Sequence, residues 1–135
     1  MSAREQTVHR LATRVARGLE RGTLTLAQAA GLTPVELQAL ADAAHQLRRQ
    51  GNLEGAAELL GLLVSCDPYT PSHWLAMARV QQRLGHHPVV VVCLEILSLL
   101  EREPRPELQQ LEAACLREMG QHDLAHDLLQ EEETR

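Results

Sequence analysis

The chain has 135 residues, 44% of them hydrophobic, enough for one domain around one core. Leu and Ala dominate the apolar set, Phe is absent, and Trp74 and Tyr69 are the only aromatic residues, a balance that favours helices over strands. All 13 basic residues are Arg, and the net charge of -5 argues against a general nucleic-acid binder, just as the lack of any run of 18 apolar residues argues against membrane insertion.

The charge is uneven. Residues 1–21 carry five Arg against two Glu, net +3, while residues 95–135 carry four Arg against eleven acids, net -7. Such a gradient can steer a partner or pair two copies of the chain. Arg4, Arg10, Arg14 and Arg17 interrupt the N-terminus, so no signal-peptide core is expected there. The three widely spaced cysteines, Cys66, Cys93 and Cys115, then read as reduced, buried thiols in a cytosol.

In chain order, Val8, Leu11, Ala12, Val15, Ala16 and Leu19 form one apolar stripe of a helix that Gly22 stops. A short apolar segment, 24–32, follows. Thr33-Pro34-Val35-Glu36 reads as a capping box with Pro in the first turn of a helix that Gly51 ends near Gln50. A helix over about 53–65 runs to Asp67-Pro68. Thr70-Pro71 repeats the cap-then-Pro device for a helix to Leu84, closed by Gly85. Pro88 opens a helix to about Leu100. There the four consecutive valines Val89 to Val92 favour a strand locally, and only the register of the repeat requires helix. Beyond Pro104 and Pro106 come a helix ending at Gly120 and one from His122 into the acidic tail.

Gly51, Gly85 and Gly120 lie 34 and 35 residues apart. Ala56, Val90 and Ala125 follow each Gly by five residues, and Leu60, Leu94 and Leu129 follow by four more. Upstream, the repeats give Leu40, Ala43, Ala44 and Leu47; Trp74, Met77, Ala78 and Gln81; and Ala113 and Leu116. This is the tetratricopeptide-repeat (TPR) pattern of W-x2-L-G-x2-Y, A-x3-F and P, with small residues where helices cross closely. Neither helix pair can bury its apolar face alone, so neighbouring pairs stack. The fold expected is all-α, three tandem TPR helix-turn-helix repeats in an α-solenoid preceded by an N-terminal helix. Residues 1–32 form the N-terminal helix and connector, and 33–135 the TPR domain, with repeats at about 37–70, 71–104 and 106–135.

The ordered features resemble the class II (translocator) chaperones of bacterial type III secretion, the SycD/LcrH/IpgC type. They are Gly22-Thr23-Leu24-Thr25-Leu26, Leu37 and Leu40 through Gly51, Asp67-Pro68-Tyr69, Leu75 with Gln82 and Gly85, and Glu103-Pro104-Arg105 followed by Ala114-Cys115-Leu116. The resemblance spans about residues 20–130. It implies a cytosolic chaperone that holds an extended segment of a hydrophobic, pore-forming translocator in its concave groove before export, prevents premature association, and in many members dimerises through the N-terminal region. An alternative is the TPR-like chaperone of the needle subunit or another early export component, which Trp74-Leu75-x-Met77 also fits. A further alternative is a TPR scaffold or regulatory adaptor outside secretion.

In a TPR the first helix of each repeat faces the concave side. Helical spacing then assigns to the partner-binding groove Gln38, Ala41, His45, Arg48 and Arg49 from repeat one; Ser72, Leu75, Arg79, Gln82 and Arg83 from repeat two; and Gln110, Ala114 and Arg117 from repeat three. The family's aromatic residues are missing at Ala41, His45 and Arg48. Five Arg stand on this face instead, and their planar forks suit carboxylates, so the groove is expected to take an extended segment with acidic residues or a free carboxylate, flanked by one or two apolar anchors. Val8, Leu11, Val15 and Leu19 form either a dimerisation face or a cap on repeat one. His122 and His126 have a metal-ligand spacing but no implied third ligand, and no catalytic motif occurs, so no metal, no cofactor and no enzymatic activity are expected.

Overall fold

A computed structural model of the chain describes residues 31–133 and, before them, Ser2, Ala3, Gln6, His9 and Arg10. Among the described residues six helices follow one another and no strand occurs: α1 (Pro34–Arg49), α2 (Leu53–Cys66), α3 (Pro71–Leu84), α4 (His87–Leu100), α5 (Pro106–Glu118) and α6 (His122–Glu133). The first helix of each pair begins with Pro, whose fixed φ suits a first turn. Thr33 closes a complete capping box on α1, its hydroxyl accepting from the Glu36 N–H and its own N–H donating to the Glu36 carboxylate. Thr70 departs from the expected pattern. Its hydroxyl donates to Asp67 Oδ2 at 2.6 Å, so no side chain caps α3.

The turn inside each repeat is the same structure three times. The N–H groups of Asn52, His86 and Gln121 bond back to the carbonyls of Leu47, Gln81 and Leu116. That six-to-one bond places the intervening Gly51, Gly85 and Gly120 at φ of 83°, 78° and 77°. A Cβ at any of the three would meet nothing within 4 Å, so backbone conformation rather than space demands glycine there.

Packing runs between chain neighbours: α1 on α2, α2 on α3, and so on to α6. The expected small residues lie at the crossings. Ala44, Ala78 and Ala113 in the first helices, and Ala56, Val90 and Ala125 in the second, are all at most 1% exposed. Leu60, Leu63, Val80, Leu94 and Leu97 fill the space around them. The valine run is helical because burial in α4 falls on Val90, Cys93, Leu94 and Leu97, which is the i, i+3, i+4, i+7 spacing of one helix face. A strand would have hidden Val90 together with Val92, which is 55% exposed. Cys93 and Cys115 belong to this interior, and burial pushes their thiols up. Ala43, read as a core position, is exposed instead, because α1 turns Ala44 toward α2 and leaves its neighbour outside.

The buried glutamine Gln81 stands where the repeat consensus has Tyr. Its carbonyl oxygen accepts from His86 Nδ1 at 2.7 Å and its amide approaches Met77 Sδ at 3.5 Å, so a polar side chain survives in the core. His87 opens α4, and its Nδ1 is buried.

The junction of α4, α5 and α6 contains a cleft of about 270 Å³ whose walls include Glu95, Gln109, Glu112 and Glu131. Glu112 is 5% exposed. Burial first, then a hydrogen bond with Glu95 and the charges of Glu95 and Glu131, push its carboxyl up to about 8 from an ordinary 4.5. At neutral pH Glu112 therefore keeps its proton.

Two measurements test this account. Ala78→Leu forces a side chain into a closed crossing and is expected to lower stability by about 1–3 kcal/mol in urea unfolding, whereas Ala43→Leu stays within about 0.5 kcal/mol. For Glu112 the native pKa is the higher one, so its stabilisation is complete below about 4.5 and is lost as pH rises through about 8. Urea midpoints taken across that window are expected to fall with pH in the wild type and to flatten in Glu112→Gln.

Candidate functional site

Because α1 and α3 both lean on α2, a cleft of about 200 Å³ opens between them. Ala44, Leu60 and Val80, all buried, form its floor, with Ala41 and Ala76 on its sides. Its rim is polar: Gln38, His45 and Arg48 from α1, Ser72 and His73 from α3. The volume is below the roughly 300–1,000 Å³ of small-molecule pockets and suits side chains presented by a peptide.

The rim is held by local bonds. Arg48 Nη2 donates to His45 Nδ1 at 2.8 Å. A guanidinium only donates, so this nitrogen of His45 is an acceptor and the ring proton sits on Nε2. The Gln38 amide donates to Asp42 Oδ1 at 3.0 Å. On the other wall His73 Nε2 lies 3.3 Å from Asp67 Oδ2, the same oxygen that receives the Thr70 hydroxyl. Trp74 Nε1 donates to the Pro68 carbonyl at 2.7 Å, which ties α3 to the turn before it. The Asp67-Pro68-Tyr69-Thr70 turn thus fixes the angle at which α3 leaves α2, and with it the width of the cleft.

Of the residues that spacing assigned to the groove, Gln38, Ala41, His45, Arg48 and Ser72 meet in this cleft. Leu75 is half-buried and packs against the core. Arg49, Arg79, Gln82, Arg83, Gln110, Ala114 and Arg117 are exposed and lie outside it. Arg48 is therefore the one arginine of the five that the cleft contains. Sequence reasoning missed His73, Ala76 and Val80, because it gave α3 the same outward face as α1. The cleft is bounded by the edge of α3 turned back toward repeat one, and the available signal was the small residue Ala76 one turn after Ser72. The proposed dimerisation residues Val8, Leu11, Val15 and Leu19 lie outside the described residues, as does the 22–26 segment.

Among the described residues no group of three His, Cys, Asp or Glu side chains stands together as a metal site, and no helix is long and apolar enough to cross a membrane. No model of a protein family and no curated protein matches the sequence. Solved structures do share the fold. The type III secretion translocator chaperone SycD of Yersinia enterocolitica superimposes with a TM-score of 0.64 at 20% identity, over 78% of this chain and 78% of that one. SycD bound to a peptide of the translocator YopD gives a TM-score of 0.63 at 20% identity, over 72% and 73% of the two chains. PcrH bound to the chaperone-binding region of PopB gives 0.63 at 20% identity, over 73% and 78%. The chain thus has the TPR-like helical fold of these translocator chaperones, which the sequence resemblance implied.

Proposed function

We propose that this protein is a chaperone of a type III secretion system. In this reading it binds an extended segment of a hydrophobic translocator in the cleft between α1 and α3, in the bacterial cytoplasm, and keeps that partner soluble until export. The observation that carries the reading is a cleft sized for peptide side chains between the first helices of repeats one and two, on a fold shared with SycD and PcrH, which have been solved with segments of YopD and PopB. The chemistry of the cleft agrees with binding rather than turnover. On its rim Arg48 bonds His45 while Gln38 and His73 bond the neighbouring Asp42 and Asp67, and its floor is aliphatic. An extended strand of partner needs such a surface, with apolar seats below and hydrogen-bonding groups at the edges.

Coexpression tests the proposal. A translocator from the same secretion system, insoluble alone, is expected to become soluble and to copurify with this chain. Ala41→Trp, which fills the cleft from its half-buried side, is expected to reduce the copurified partner at least tenfold while the chaperone keeps its helical circular dichroism. A partner that stays insoluble with the wild type, or that copurifies equally with Ala41→Trp, overturns the reading.

A further inference from the structure

The ten residues that line the cleft include no Asp or Glu, on a chain where acids outnumber arginines 18 to 13. Two acids that bond to rim residues are already engaged: Asp42 by the Gln38 amide, and Asp67 by Thr70 and His73. The polar residues of the lining include Arg48, held by its bond to His45, and Ser72. Ser72 and His73 also belong to the first turn of α3, a 14-residue helix. Thr70 gives its hydroxyl to Asp67 and leaves this end without a side-chain cap. The Asp67 carboxylate, held by Thr70 and His73, already supplies an anion at this end, so the positive charge that the cleft offers a ligand is that of Arg48. Ala44 on the floor and Ala41 and Ala76 on the sides leave room for a small aliphatic side chain.

Resting on the peptide-binding reading above, we propose that this cleft recognises one acidic side chain on the extended partner segment. Arg48 is its counter-charge, and an aliphatic neighbour of that acid is seated on the three alanines. An arginine fork bonds a carboxylate through two parallel N–H groups, which fixes the register of the bound strand as well as its charge. The partially desolvated cleft strengthens that pair relative to the same pair in open water.

Selection of a random heptapeptide phage library on the full-length chain tests the proposal. Selected peptides are expected to carry Asp or Glu at one fixed position with an aliphatic residue beside it. With a synthetic peptide of the selected sequence, Arg48→Gln is expected to weaken binding roughly tenfold or more, as is Gln for Glu (or Asn for Asp) in the peptide. The two losses together are expected to be no larger than either alone, while Arg102→Gln, in the α4–α5 connection, changes nothing. Circular dichroism and thermal melts on each variant separate loss of binding from loss of fold, and Ala76→Trp serves as a second block of the cleft beside Ala41→Trp. Selected peptides that either block displaces but that lack an acid, or that bind Arg48→Gln as well as wild type, overturn the acidic recognition and leave the peptide-binding cleft standing. Peptides indifferent to both blocks, or a library that yields none, overturn both.

Discussion

Close approach of helix to helix at five alanines and Val90 governs this molecule. Ala44, Ala78 and Ala113 meet Ala56, Val90 and Ala125 across the pairs, all virtually without exposure, so the helices cross at a short distance and the larger leucines interlock on either side. An interior packed at crystal-like density tolerates little change at those positions. Each repeat therefore passes its orientation to the next through contact rather than through any long-range bond, and the array propagates along the chain. The repeated glycine turn sets the angle within each pair, and the Asp67–Thr70 turn sets the angle between repeats one and two.

The cleft follows from that arrangement. Two helices that pack on a common third helix, and barely on each other, leave a channel whose floor is the partner they share. Here α2 contributes Leu60 to the floor, beside Ala44 and Val80, and the walls are the edges of α1 and α3. Small residues on those edges keep the channel open. Polar residues one helical turn apart then arm its rim with donors, and their bonds to Asp42 and Asp67 fix the side chains before any partner arrives. Preorganisation of this kind spares a ligand the entropy of ordering its site.

The acidic C-terminal half obeys a different constraint. Glu112 sits at the junction of three helices, where an ionised carboxylate would be stripped of water and set beside two others. Protonation resolves the conflict at neutral pH. Stability of the last repeat is thus tied to a proton, whereas the first two repeats rest on aliphatic packing and their glycine turns. The chemistry of the cleft and the titration of the junction lie in different repeats and act on different properties of the protein.

Much of the fold was legible in the sequence. The 34-residue period, the Thr-Pro starts and the glycine stops located the described helices, and the register overruled the strand preference of Val89 to Val92. A periodic core repeats the same requirement three times, so one weak local preference is outvoted by its equivalents. The fate of individual side chains was less legible. Helical spacing named the α1 wall of the cleft, but it placed Ala43 in the core and could not foresee that Thr70 would bond Asp67 instead of capping α3. The sequence by itself determined helix, turn and repeat, because each depends on residues within a few positions of one another. Tertiary structure alone decided which edge of α3 faces α1, which arginine enters the cleft, and that Glu112 is stripped of solvent. Those outcomes depend on the rotation of whole helices against their neighbours, and that rotation is fixed only when the crossings close.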